Sequence, residues 1–454
     1  MKNLINTIRN IFKIDDLKTR ILNTLMFILM YRLISHVVLP GVDHTQLAAL
    51  QNQTAGGILS LLDMFAGGAF SQASIVALGI MPYISASIVV QLLGIAVPYF
   101  QRMQKEGESG RKKLNQFTRY LTVLVVLGQA PGYLVNLRSQ VPNAIICYTH
   151  PELVSVSMFW MTSILLMVAG TLFIMWLGER ITEKGIGNGI SLLIMIGIIA
   201  RLPFAVKDEF NSRLNEAGGG MVVFMLEIVA LFAVIMTVIL LVQGTRKIPV
   251  QFAKKIVGNK QYGGVRQYIP LKVNAAGVMP IVFAQAIMFI PATVAQFFPE
   301  SASWQGFASQ FTDFHSFWYN FTFAILIILF TYFYTAISVN PNQMAEDMKK
   351  NGGFIPGVKP GKQTAGFIDD VMSKITLPGS LFLALVAIMP TFAKIIGVSS
   401  NFASFYGGTS LLIMIGVVLD TLQQIESHLL MRHYDGLMKS GRIKGRTAVA
   451  GAAI

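Results

Sequence analysis

Along the chain, apolar residues gather in blocks long enough to cover a hydrocarbon core of about 30 Å at about 1.5 Å per helical residue. They run 21–39, 74–97, 120–137, 153–178, 186–205, 221–243, 277–299, 317–339, 375–396 and 407–429. The pattern predicts an all-α membrane protein with ten transmembrane helices. Within residues 1–20, Ile5, Ile8, Ile11, Phe12 and Leu17 recur at near-helical spacing among basic residues, which predicts an amphipathic surface helix before the first span. The first block ends in Pro40-Gly41 without a small-x-small cleavage pattern and reads as a retained span. The third block holds Gln129, Pro131 and Gly132 and is expected to face protein or water. Between the first two blocks, the segment at about 58–72 is apolar yet too short to span. There Leu61, Leu62, Met64 and Phe65, followed by Gly67-Gly68, predict a re-entrant half-helix with a flexible exit.

Two strings recur. Gly79-Ile80-Met81-Pro82 returns as Gly277-Val278-Met279-Pro280, and Gly189-Ile190-Ser191-Leu192-Leu193-Ile194 as Gly408-Thr409-Ser410-Leu411-Leu412-Ile413. Both pairs lie five spans apart. An odd offset forces the second copy to insert upside down, so the expected architecture is two inverted five-helix halves, 21–205 and 221–430, joined by an exterior linker at 206–220. Equivalent residues then meet near the midplane around a central pore. The paired glycines and prolines predict breaks in the helices there.

Composition agrees with this reading. Hydrophobic residues make up 54% of the 454 and charged residues only 13%, against about 25% charged in soluble domains. The net charge of +14 is unevenly placed: with a cytoplasmic amino terminus, 30 of the 36 Lys and Arg fall on cytoplasmic pieces, including the tail 431–454. That bias predicts both termini inside. Two cytoplasmic loops, 245–272 and 341–376, are longer than a helix hairpin needs, and the first has seven basic residues and no acid, which favours docking of a partner. Of the charges inside spans, Arg32 and His36 are expected to snorkel to the exterior, Glu227 stands alone on the sixth span, and Asp420 and Glu426 lie in the cytoplasmic half of the tenth.

Catalytic chemistry finds no support. The single cysteine, Cys147, excludes an internal disulfide and a multi-cysteine metal site; no HExxH occurs; and Gly361-Lys362 lacks the glycine and hydroxyl of a P-loop. No cofactor is expected, and energy must come from a partner. An ion-coupled secondary transporter would share the inverted repeat, but would need a compact polar site at the midplane where this chain has aliphatics.

Longer strings carry a resemblance: Phe65-Ala66-Gly67-Gly68-Ala69, Gly79-Ile80-Met81-Pro82-Tyr83, Glu106-Gly107-Glu108-Ser109-Gly110-Arg111, Gly185-Ile186-Gly187-Asn188-Gly189-Ile190-Ser191, Pro270-Leu271-Lys272-Val273-Asn274 and Gly407-Gly408-Thr409-Ser410. From about residue 15 to 440 the chain resembles the SecY family, the channel-forming subunits of the bacterial Sec protein translocase. The resemblance implies an hourglass channel in the cytoplasmic (inner) membrane, passing unfolded polypeptides and releasing apolar segments sideways. It implies a pore ring of Ile80, Ile84, Ile194, Val282 and Ile413, with Val278 adjacent, and a plug at about 58–72. The sideways exit falls between the second and third and the seventh and eighth helices, near Ser87, Gln91, Gln129 and Asn274. Docking falls on the long loops, with Lys254, Lys255 and Lys359 as contacts. Implied partners are the small subunits SecE and SecG, the motor ATPase SecA, the ribosome, precursors bearing signal sequences, the lipid bilayer and accessory translocon proteins. Val282 departs from the family's isoleucine and Lys359 from its arginine, which keeps the charge but loses the planar fork.

Overall fold

The computed structural model describes residues 14–47, 63–149, 155–214, 220–252, 255–257, 260–262, 266–297, 310 and 316–439. Each of the ten apolar blocks meets one long helix: α1 (Asp15–Ser35), α2 (Met81–Ala96), α3 (Glu108–Gln140), α4 (Val156–Lys184), α5 (Gly189–Leu214), α6 (Gly220–Gln243), α7 (Met279–Phe297), α8 (Phe317–Ser338), α9 (Lys362–Ile395) and α10 (Gly408–Lys439). Seven of them are individually long and apolar enough to cross a membrane among the described residues. An eighth candidate is α2 with the short helix Pro98–Gln104, to which it is bent by 102°. The bend falls at Val97-Pro98, where proline pushes the preceding residue out of the helical region. Residues 1–13 of the expected surface helix lie outside the described residues, and its last part is simply the start of α1.

Helix ends differ from the apolar blocks in a regular way. The third block begins at 120 but α3 at Glu108, the ninth at 375 but α9 at Lys362, and α5 runs on past 205 to Leu214, into the stretch expected as a linker. These extensions are polar, and a helix leaving the bilayer needs no apolar residues to continue. The second block differs in the opposite sense. Residues 74–80 are turns and a bridge, and helix starts only at Met81.

That start shows the repeat in three dimensions. Gly79 (φ +55°) and Gly277 (φ +64°) both adopt the left-handed conformation that glycine tolerates. Two residues later α2 and α7 begin, each with proline in its first turn, where a missing N–H leaves no bond unmade. The second string behaves alike, since α5 opens at Gly189 and α10 at Gly408. Both copies of both strings are therefore helix N-termini, in halves of opposite orientation.

The 245–272 segment, which hydropathy leaves as a long loop, is a β-ribbon. Strand β1 (Thr245–Phe252) pairs antiparallel with β4 (Arg266–Lys272), from Thr245↔Lys272 to Gln251↔Arg266, and β5 (Gly353–Phe354) joins its other edge. Between them lies a short hairpin of β2 (Lys255–Val257) and β3 (Lys260–Tyr262). Ile248 and Val250 alternate inward and pack with Leu271, Met348, Ile355, Ile368 and Met372, anchoring the ribbon to the polar start of α9. The side of the molecule carrying the ribbon is called the basic face below.

On the opposite face, two carboxylates and an arginine are buried together, and the expectation that Glu227 stands alone is wrong. Arg213 Nη2 donates to Glu227 Oε1 at 2.6 Å and its Nε to Glu209 Oε1 at 3.0 Å. The same guanidinium donates to the Gly397 carbonyl at 2.8 Å, Ser399 N donates to Glu209 Oε2 at 2.9 Å, and the Tyr406 hydroxyl donates to the Glu227 carbonyl. The clasp ties the end of α5 to α6 and to the α9–α10 connection, hence one half to the other. Replacing Arg213 by methionine leaves two buried carboxylates without their counter-ion and is expected to cost about 3–5 kcal/mol. Thermal unfolding of the detergent-solubilised protein would register this as a lowered midpoint, partly recovered when Glu209 and Glu227 are also changed to glutamine.

Candidate pore and its seals

The aliphatic positions singled out in the sequence occupy matching places in the repeat. Ile84 is the fourth residue of α2 and Val282 the fourth of α7; Ile194 is the sixth of α5 and Ile413 the sixth of α10. Ile80 and Val278 each stand just before their helix. Four helix N-termini thus deliver branched side chains to one place. Ile80, Ile194 and Ile413 are buried within one apolar cluster, against which Ile84, Val278 and Val282 pack. Ile84 and Val282 also pack on the second large cluster, drawn mainly from α7, α8, α9 and α10. They therefore bridge the two halves. Val278 sits so close to α10 that a Cβ at Gly416 would lie 2.7 Å from its Cγ1.

Against this zone lies the irregular stretch 63–80. Met64, Phe65, Ala66, Ala69 and Phe70 are buried, and the chain turns at Gly67 (φ +64°) and Gly68 (φ +93°). Leu61 and Leu62 lie outside the described residues. The turn rests on α5 at Gly197, where a Cβ would come within 2.7 Å of the Phe65 carbonyl oxygen. Its polar groups are met from three helices. From α1, Tyr31 donates to the Ala66 carbonyl at 3.3 Å and Arg32 to that of Gly67 at 3.0 Å. From α3, Tyr133 donates to the Phe70 carbonyl at 2.9 Å. From α5, Arg201 pairs with Asp63 and donates to Ser71 Oγ at 2.9 Å, while Ser71 N donates to Asp63 Oδ1 at 2.8 Å. His36 Nδ1 lies 3.0 Å from Gln72 Oε1. Arg32 and His36 thus turn toward this segment and do not simply snorkel. Asp63, Arg201 and Tyr133 escaped the sequence reading, although an acid inside an apolar half-helix and an arginine inside an apolar span are both signals. A cavity of about 530 Å³ opens beside the segment, lined among others by Arg32, His36, Asp63, Arg201 and Asp208.

At the expected lateral seam, α2 packs on α3 and α7 on α8, and the two pairs meet where α3 touches α7. The four polar residues placed there are not joined. Gln91 donates to Ser87 Oγ at 3.2 Å, but along α2. Gln129 is half-buried on α3, Asn274 is buried ahead of α7 with its Oδ1 unpaired, and among the described residues no hydrogen bond links either to the α2 pair. Lys359 is exposed beside the start of α9, its carbonyl accepting from Thr364 Oγ1 at 2.9 Å. Lys255 opens β2, and Lys254 lies outside the described residues. Among the described residues, no cluster of His, Cys, Asp and Glu suits a metal ion.

Residues 74–422 match the family model described as SecY. The Protein translocase subunit SecY of Streptomyces galbus is 42% identical over 437 residues, which cover 94% of this chain and 98% of that protein. The chain belongs to the SecY family. The SecY fold is also that of solved structures of low identity. One, described as a SecY protein whose plug domain stabilises the closed state of the translocation channel, aligns with a TM-score of 0.59 at 17% identity over 90% of this chain and 92% of its own. The idle yeast Ssh1 complex bound to the ribosome aligns with a TM-score of 0.55 at 13% identity over 89% of each. In this SecY-family chain the close fit of Gly197 against segment 63–80 leaves no room for added bulk. Gly197→Val is expected to displace the segment, because overpacking costs about 1–3 kcal/mol, enough to speed the labelling of a cysteine at Ala69 about tenfold. An aqueous thiol reagent applied to Ala69→Cys with and without the valine measures the difference.

Proposed function

We propose that this chain is the central protein-conducting channel of a Sec translocase, passing unfolded polypeptides across the bacterial cytoplasmic membrane. Convergence of Ile80, Ile84, Ile194, Val282 and Ile413 from helix N-termini of two inverted halves carries the reading. A narrow ring of branched aliphatics yields to a passing side chain, binds none strongly, and gives ions no replacement for their hydration. The segment at about 58–72 acts as the plug. The seam between α2/α3 and α7/α8 acts as the lateral gate for signal sequences and membrane-protein spans. An ion-coupled transporter fits worse, because its midplane site would need polar ligands and the buried charges among the described residues are already paired, in the clasp or between Asp63 and Arg201.

In this reading the basic face and both termini are cytoplasmic, the clasp and plug exterior. The chain itself performs no catalysis and takes its energy from the motor ATPase SecA or the translating ribosome. The basic ribbon and the turn at Lys359 are the docking surface, and SecE, SecG and accessory translocon proteins flank the spans.

Changing Ile80, Ile84, Ile194 and Ile413 together to serine is expected to raise resting ion conductance in planar bilayers at least about tenfold, since the gate works by dewetting. Unchanged conductance would remove the ring assignment. Reversing the charges of Lys254, Lys255 and Lys359 is expected to weaken binding of ribosomes or the motor ATPase in a flotation assay while leaving membrane insertion intact. Equal binding would leave those residues with a topological role alone.

A further inference from the structure

We propose that Arg201 is a positioning residue of the resting channel, a latch on α5 that holds the plug shut through Asp63. The inference rests on the plug reading of segment 63–71 given above.

Within the segment, Asp63 stands at the beginning and Ser71 at the end. One carboxylate oxygen of Asp63 accepts from the Ser71 N–H at 2.8 Å, closing the segment into a loop, and the other meets the Arg201 guanidinium. The same guanidinium nitrogen reaches Ser71 Oγ at 2.9 Å. Arg201 therefore grips both ends of the loop at once. Its guanidinium lies flat over the middle, because a Cβ at Gly68 would fall 3.2–3.3 Å from its atoms. Gly68 thus serves two ends, its left-handed turn and the room for the latch.

Release requires that the grip be neither fully dry nor fully wet. The Asp63 side chain is 10% exposed and that of Arg201 22%, and both line the 530 Å³ cavity with Arg32, His36 and Asp208. A pair sealed from water would hold too firmly to be broken by an arriving chain; a pair in open solvent would bias nothing. The hydrogen bonds that Arg32, Tyr31 and Tyr133 of α1 and α3 donate to the segment go to backbone carbonyls and not to its side chains. Besides the α5 latch, two contacts depend on which side chains the segment carries, the Phe70 ring on Tyr133 at 4.9 Å and Gln72 Oε1 near His36 Nδ1 at 3.0 Å, and neither joins the two ends of the loop. Both Arg32 and Asp208 line the cavity beside Arg201, so the guanidinium has a like and an opposite charge as neighbours besides Asp63.

The test is a double-mutant cycle on the full chain in its translocase complex, reading idle ion conductance in planar bilayers, with translocation of a signal-bearing precursor as the check on folding. Asp63→Asn and Arg201→Gln are each expected to raise idle conductance about tenfold, and the double variant no further, because the two act as one unit. Arg201→Lys, which keeps the charge, is expected to recover part of the seal. Single variants within twofold of the parent, or effects that multiply in the double variant, would overturn the latch. Deleting residues 63–71 separates the two readings. If deletion raises idle conductance while the single variants do not, the latch alone fails; if deletion changes nothing, the plug reading fails with it.

Discussion

Backbone that is not helical cannot face hydrocarbon, because each unpaired N–H or C=O there costs several kcal/mol. The first half of this molecule is arranged around that constraint. Residues 66–80 are packed among the spans as turns and a bridge, and α1, α3, α4 and α5 each contribute a donor or an absence of bulk. Donors come from Tyr31, Arg32, Tyr133 and Arg201. The absences are glycines: Gly197 lets the Phe65 carbonyl approach α5, and on α4 a Cβ at Gly170 would sit 2.5 Å from the Ile75 carbonyl oxygen.

Much of this was legible in the amino-acid sequence. Ten apolar blocks became ten helices, and two recurring strings became matching helix starts in inverted halves. What escaped has a physical pattern. Hydropathy averages over a window, so it could not follow α3, α5 and α9 into water, where a helix continues on polar residues. It likewise saw only charge in 245–272, where Ile248 and Val250 alternate at the period of a strand among basic neighbours. The charged partners were harder still. Arg213 reaches Glu227 only because α5 outruns its apolar block, and Asp63 reaches Arg201 across 138 positions. No local pattern encodes either pairing.

Polar ties between the halves are distributed unevenly. On one face the Glu209–Arg213–Glu227 clasp joins α5 and α6 to the α9–α10 connection. On the basic face, the turn before α5 is tied to α10, where Gly187 N donates to Gln424 Oε1 at 2.8 Å. Both ties lie along the α5–α10 side. Across the contact of α3 with α7, no hydrogen bond or ion pair joins the described residues. Two halves fastened along one side and merely touching along the other part most easily at the unfastened side, which is where an apolar segment would leave for lipid.

The matched placement of the aliphatic side chains has one more consequence. Ile84 and Val282, like Ile194 and Ile413, are equivalents of each other in halves that run in opposite directions. A constriction assembled from such pairs looks nearly the same from either end. It is a turnstile without a ratchet, and left to itself it would let a chain slide back as readily as forward. Whatever makes transport one-way must reside where the symmetry is broken, in the irregular segment 63–80 that belongs to the first half and in the charged ribbon that belongs to the second.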